Sequence, residues 1–239
     1  NSRGELVFNT SNFSGSAQFS QLALTVQDTP LAAVEPLSII FDRTKVDFVN
    51  AKFAGGGSNM TISGTVARTN DATNNLSVDG RISLNLLNLA TVDTFFAGNA
   101  DVAVRYIGPY DTARLSGTAY TENASVAAFI GTDRLTLERI KTRVVFTADQ
   151  AEIEDATGFL GGGRFNATGG ALLNGLSVSN FRLSLNGDNV TVPLPQDFLT
   201  TGDARLEITG IRDMQKDSLQ ITIGGRVYAK RSLYSKDID

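Results

Sequence analysis

Leu76-Ser77-Val78-Asp79-Gly80-Arg81-Ile82-Ser83-Leu84-Asn85-Leu86 puts an apolar residue or glycine at every even position and a polar residue at every odd one. A period of two sends the even set to one side of an extended chain and the odd set to the other, so the stretch reads as a strand with one dry and one wet face. The pattern returns at Val102 and Val104, and again at Ala204, Leu206 and Ile208. It returns once more at Leu219, Ile221, Ile223, Gly225, Val227 and Ala229, with Gln220, Thr222, Arg226 and Lys230 between them. Helical spacing is confined to Leu89, Val92, Phe95 and Phe96 before Gly98, which predicts one short helix over Leu89 to Phe96. Val192-Pro193-Leu194-Pro195 predicts a connection or a sheet edge, because proline cannot donate to a ladder. The fold class expected is all-β.

A chain of 239 residues has room for one large β unit or two tandem ones. Hydrophobic residues make up 41%, enough for a core, and charged residues only 19%, so intrinsic disorder is not expected. The chain has no His and no Cys. That removes His or thiolate zinc sites, Ser-His-Asp and Cys-His nucleophile systems, haem and iron-sulfur ligation, and disulfides, so neither an enzyme nor a cofactor or metal is expected. Net charge is -4 with Lys and Arg scattered singly, which disfavours a nucleic-acid partner. No apolar run approaches the roughly 18 residues of a membrane span, and Asn1 to Phe8 lack the pattern of a secretory signal. The start at Asn1 without Met and the abrupt end at Asp239 point to a piece of something longer.

The sequence also repeats. A shift of 105 positions aligns Phe41 to Gly64 with Phe146 to Gly169 without a gap, matching Ala51 with Ala156, Gly56-Gly57 with Gly161-Gly162, and Gly64 with Gly169. The apolar positions Ile39/Val144, Ile40/Val145, Phe48/Ile153 and Met60/Phe165 coincide as well. With small changes of offset, Phe13-Ser14-Gly15-Ser16-Ala17 meets Leu115-Ser116-Gly117-Thr118-Ala119, Leu76 meets Leu176, Gly98 falls near Gly202, and Tyr120 near Tyr228. The expected organisation is the end of a preceding unit over 1–12, one β repeat over 13–114, a second over 115–222, and the start of a truncated third over 223–239. Units that extend one another's sheet accommodate a truncated copy better than closed domains do.

Gly55-Gly56-Gly57 and Gly161-Gly162-Gly163 are not followed by the Lys-Ser/Thr of a phosphate-binding loop and open no helix, so they are expected to be turns. Glu152 and Glu154 form a conceivable carboxylate pair, but Ala151, Ile153 and Ala156 opposite them make a solvated strand face the simpler reading. Asp213 and Asp217 fall in a polar stretch read as a hairpin loop, and the Asn-x-Ser/Thr triplets at Asn9, Asn12, Asn59, Asn75, Asn123, Asn166 and Asn189 follow from a composition rich in those residues. What remains is the dry face, which has almost no helix to cover it. It must close on another sheet, wrap a ligand, or stand exposed.

Taken in order, an amphipathic strand, the turn Phe159-Leu160-Gly161-Gly162-Gly163, a strand closing on Gly169 and alternating runs ending in Gly225-Arg226-Val227 form a recognisable succession. With the closing Tyr234-Ser235-Lys236-Asp237-Ile238-Asp239, it resembles the C-terminal half of the TamB family, the inner-membrane component of the translocation and assembly module, within the wider AsmA-like group. The resemblance implies an elongated open β-taco with an apolar inner groove, in the periplasm of a Gram-negative bacterium, as part of a longer inner-membrane-anchored protein. It implies outer-membrane biogenesis with phospholipid acyl chains as cargo, and as further partners an Omp85-type outer-membrane barrel and nascent outer-membrane proteins. The residues expected to line the groove are Leu76, Val78, Ile82, Leu84, Leu86, Val102, Val104, Leu206, Ile208, Ile221, Ile223 and Val227. A lipid tail of ~16 carbons half shielded there gains roughly 6 kcal/mol, enough to hold it and weak enough to let it slide. The alternative is a structural or adhesive β-solenoid that binds a protein through its outer face or strand edge. A polysaccharide-cleaving β-helix, which needs clustered carboxylates, ranks third.

Overall fold

A computed structural model describes residues 2–26, 28–89, 94–130, 133–193, 198–213 and 218–234. The chain is all-β, and its strands join in one large antiparallel sheet. The strands are β1 (Ser2–Asn9), β2 (Ser14–Val26), β3 (Thr29–Ala33), β4 (Leu37–Phe41), β5 (Lys45–Gly55), β6 (Ser58–Ala67), β7 (Thr73–Ser83), β8 (Thr94–Ala97) and β9 (Asn99–Pro109). They continue as β10 (Arg114–Ile130), β11 (Asp133–Thr147), β12 (Gln150–Leu160), β13 (Gly163–Asn174), β14 (Ser177–Val192), β15 (Phe198–Asp213) and β16 (Ser218–Tyr234). Pairing follows chain order along the path β1-β2-β3-β5-β6-β7-β9-β10-β11-β12-β13-β14-β15-β16, with β4 between β2 and β5 and β8 against β10. Fourteen ladder positions at a strand spacing of ~4.8 Å extend about 62 Å along the hydrogen-bonding direction.

The sequence expectations fare unevenly around Leu84. The strand that opens at Thr73 stops at Ser83, and Leu84–Leu89 form a 3-10 turn, so Leu84 and Leu86 are not strand residues. The alternation fails there because Leu86 and Leu87 are adjacent, and the Leu84 amide turns to donate to the Gly98 carbonyl (2.9 Å). The short helix expected over Leu89 to Phe96 is replaced by this turn and by strand β8, with 90–93 outside the described residues. Likewise Asp213 ends β15 opposite Ser218, while Asp217 lies outside them.

Strand by strand, β5 and β6 correspond to β12 and β13. Each hairpin closes through a two-residue turn with positive φ at both positions, Gly56 and Gly57 at 55° and 84°, Gly161 and Gly162 at 55° and 88°. These are the backbone angles of the tight turn that matches strand twist, and glycine reaches them without strain. A register shift falls between Phe48 and Ala51 in one hairpin and between Ile153 and Ala156 in the other. Gly64 lies opposite Leu76, and Gly169 lies opposite Leu183. The structural counterpart of Leu76 is therefore Leu183; Leu176, which sequence matching chose, sits exposed in the turn after β13. The expected boundary at 222/223 falls inside β16, which starts at Ser218.

Register shifts recur along the longest strands, between Thr121 and Val126, between Glu138 and Lys141, between Gly187 and Val190, and between Thr201 and Gly202. Each extra residue bends its strand and increases its twist. The sheet consequently curves: a side chain at Gly175, in the β13–β14 turn, would lie 3.4 Å from the Tyr106 hydroxyl of β9, four ladder positions away. On the concave side, Ala124, Ile140, Leu160, Phe165, Leu185, Val190, Val192 and Ala204 form a buried cluster, with Leu84 of the 3-10 turn packed onto it. On the outer side the strands carry ionic ties. Lys230 Nζ donates to Asp203 Oδ1 (2.6 Å), and the Asn189 amide donates to the same oxygen (3.0 Å). These two hydrogen bonds, the lysine's first, hold the Asp203 carboxyl below the ordinary carboxylate range.

Candidate functional site

Residues directly opposite each other in an antiparallel ladder share a face of the sheet. One such row runs Met60, Gly80, Val102, Ala119, Val144, Ile153, Gly169, Leu183, Ile208, Ile223, each opposite the next, from β6 to β16. All ten are apolar or glycine. The dry rows that alternation marks on separate strands are thus joined into one face by the register.

Between β9 and β15 that face bounds a hollow of about 450 Å³. Its walls are Ala119, Val144, Phe146, Ile153, Leu183 and Ile208 toward one rim, and Val126, Leu137, Ile140, Ala156, Phe165, Ala167 and Leu185 toward the other. Leu84, Leu87 and Phe96 close over one end. The volume lies within the usual range for small-molecule sites, but the polar groups such sites use to fix orientation are nearly missing. Three lining residues carry hydroxyls, Tyr120, Thr121 and Thr142. Thr121 Oγ1 donates to the Asn99 carbonyl (2.7 Å), and Thr142 Oγ1 is buried without a hydrogen-bond partner among the described residues. The segment over the end is held by Asn88, whose Nδ2 donates to the Phe96 carbonyl (3.1 Å) and whose Oδ1 accepts from the Phe96 amide (2.7 Å).

Of the residues expected from sequence to line a groove, Leu84 and Ile208 line this hollow. Leu206 packs against the buried cluster beside it. Leu76, Val78, Ile82, Val102 and Val104 share the face but lie beyond the hollow, in the part of the sheet formed by β7 and β9. Ile221, Ile223 and Val227 share it on β16, where they are 59%, 44% and 38% exposed. Leu86 is half-buried in the 3-10 turn and does not reach the hollow. Among the residues that sequence reasoning passed over are Val144, Phe146, Ile153 and Phe165. Their signal was present as the coincidences with Ile39, Phe41, Phe48 and Met60, which occupy the same face in the first half of the sheet.

Glu152 and Glu154 are both exposed, and Glu154 stands 3.9 Å from Arg143, as a solvated ion pair does. Among the described residues no group of three or more acidic, His or Cys side chains could hold a metal ion, and no helix is long and apolar enough to cross a membrane. Comparison with protein-family models, with curated proteins and with solved structures finds no match to this chain.

Proposed function

We propose that this chain is a segment of a conduit, an open β-sheet whose concave face shields phospholipid acyl chains from water as they pass along it. The observation that carries the reading is the continuity of the row from Met60 to Ile223, apolar across ten strands, with a carbon-lined hollow in its middle. A site that selects one small molecule places hydrogen-bond groups to orient it; a surface that lets a chain slide needs only apolar area. The same reading agrees with the resemblance to the TamB family and, with it, a role in outer-membrane biogenesis in the periplasm beside an Omp85-type barrel. Strands of outer-membrane proteins are a second class of cargo for the same face.

The test is photocrosslinking from a residue inside the hollow and from its neighbour on the outer face. Val144 lines the hollow and Arg143 is exposed on the other side of the same strand. Ser83, which alternation alone would choose as an outward control, is buried at 2% exposure and cannot serve. With a photoreactive residue at either position and vesicles of radiolabelled phosphatidylethanolamine, label is expected at 144 and not at 143. A folded protein that takes label at neither position has a sealed interior and is not a conduit.

A further inference from the structure

The first strand of each sequence unit carries a glycine at a fixed place in the ladder. Gly15 of β2 lies between Phe8 of β1 and Phe41 of β4, and Gly117 of β10 lies between Val104 of β9 and Phe146 of β11. In β16 the corresponding residue is Gly225. It stands opposite Leu206 of β15, as Gly117 stands opposite Val104, and three residues on Tyr228 matches Tyr120. The backbone agrees, with φ at 125° for Gly117 and 139° for Gly225; a Cβ would meet the neighbouring strand's carbonyl oxygen at 2.0 Å and 2.1 Å.

The second neighbour differs. Gly15 and Gly117 each face a phenylalanine preceded by two β-branched residues, Ser38-Ile39-Ile40-Phe41 and Arg143-Val144-Val145-Phe146, in the same antiparallel register. At Gly15 the cover is direct, since a Cβ there would lie 2.7 Å from the Phe41 ring. An aromatic ring laid over a cross-strand glycine replaces the side-chain contact the glycine lacks. Gly225 has no such neighbour among the described residues, in which β16 stands last in the ladder. Ile221, Ile223 and Val227, on the concave face of that strand, are exposed.

We infer that the outer edge of β16 is a docking site for an antiparallel polypeptide strand of the form x-(Ile/Val)-(Ile/Val)-Phe, its phenylalanine opposite Gly225 and its β-branched residues opposite Arg226 and Val227. The continuity of the interface identifies the partner: the chain makes this pairing twice within itself and presents the same half of it a third time. Main-chain hydrogen bonds supply the affinity of such an added strand, and alternate side chains supply its register. The inference does not rest on the lipid reading, since a strand can add to this edge whether or not the hollow holds a lipid.

The experiment uses the full chain and a labelled peptide of residues 140–147, Ile140-Lys141-Thr142-Arg143-Val144-Val145-Phe146-Thr147. Binding is followed by fluorescence anisotropy and located by hydrogen exchange. Saturating peptide is expected to slow exchange of the amides in 220–234, and a Phe146→Ser peptide is expected to bind about tenfold more weakly. Equal binding of the two peptides overturns the inference, as does protection that leaves 220–234 unchanged. Protection of 220–234 that rises with chain concentration in the absence of peptide also overturns it, because a second copy then occupies the edge.

Discussion

Asn88 and Phe96 hold each other through both ends of one amide, the side-chain nitrogen donating to the Phe96 carbonyl and the side-chain oxygen accepting from the Phe96 amide. This pair fixes the base of the segment whose Leu87 and Phe96 close one end of the hollow. Asn88→Ala removes both bonds at a partly buried site and is expected to cost about 1–3 kcal/mol. Urea unfolding measures the loss, and binding of an environment-sensitive apolar dye is expected to rise in the folded protein as the end of the hollow loosens. Unchanged dye binding would mean that Phe96 stays in place without this clamp.

Glycines on the concave face are not interchangeable with those outside it. At Gly64 and Gly169 a Cβ would lie 2.0 Å and 2.2 Å from the carbonyl oxygens of Asn75 and Arg182, with φ at 106° and 151°. Gly224 has nothing within 4 Å. Alanine at either of the first two positions is expected to destabilise by about 2 kcal/mol or more, through strain and displaced backbone, while Gly224→Ala stays within about 0.5 kcal/mol of the parent. Equal midpoints in denaturant for all three variants would remove the close approach from the account.

Thr142 offers a gain. Its hydroxyl is buried among the apolar walls with no partner among the described residues, a state that costs on the order of 1–3 kcal/mol relative to a satisfied or absent group. Thr142→Val keeps the shape and the β-branched preference of the strand, so the variant is expected to be as stable as the parent or about 1 kcal/mol more so. A lower unfolding midpoint would show that the hydroxyl has a partner.

Asp203 gives the stability a pH dependence of known sign. Its folded pKa is lowered by the bonds from Lys230 and the Asn189 amide, so the native state favours the carboxylate more than the unfolded chain does. The contribution is complete above the ordinary carboxylate pKa near 4 and is lost as pH falls through the lower folded value. Below about pH 4 the parent is therefore expected to lose stability more steeply than Asp203→Asn. A stability difference between the two that stays constant from pH 7 to pH 2 would assign the effect to something other than the charge.

The alternation of Leu76 to Ile82, of Ala204 to Ile208 and of Ile221 to Val227 predicts which residues share a face, and the register agrees strand by strand. Period-two patterning is a property of one strand and survives any context. It reports nothing about which strand lies beside which, or about where a sheet bends. That is why Leu86 misled, since it continues the pattern while its backbone has already left the strand. It is also why Val144 and Ile153 were missed as site residues, because the curvature that gathers them comes from register shifts around Arg139 and Asp155 that leave no apolar signature. Asn50 and Arg139, both at positive φ beside such shifts, show how weak that signature is. Asparagine tolerates the left-handed region; arginine there gives no hint of it.

The ladder is assembled almost wholly from contacts between adjacent strands, and the β5–β6 hairpin is matched by the β12–β13 hairpin in its glycine turn and its register shift. The junction of β9 with β10 resembles that of β15 with β16, with Gly117 opposite Val104 in one and Gly225 opposite Leu206 in the other. Because each strand meets mainly its two neighbours, a hairpin added or lost would alter the joints it touches and leave the others as they are. Length, in such a molecule, changes in whole strand steps of ~4.8 Å without a new fold having to evolve.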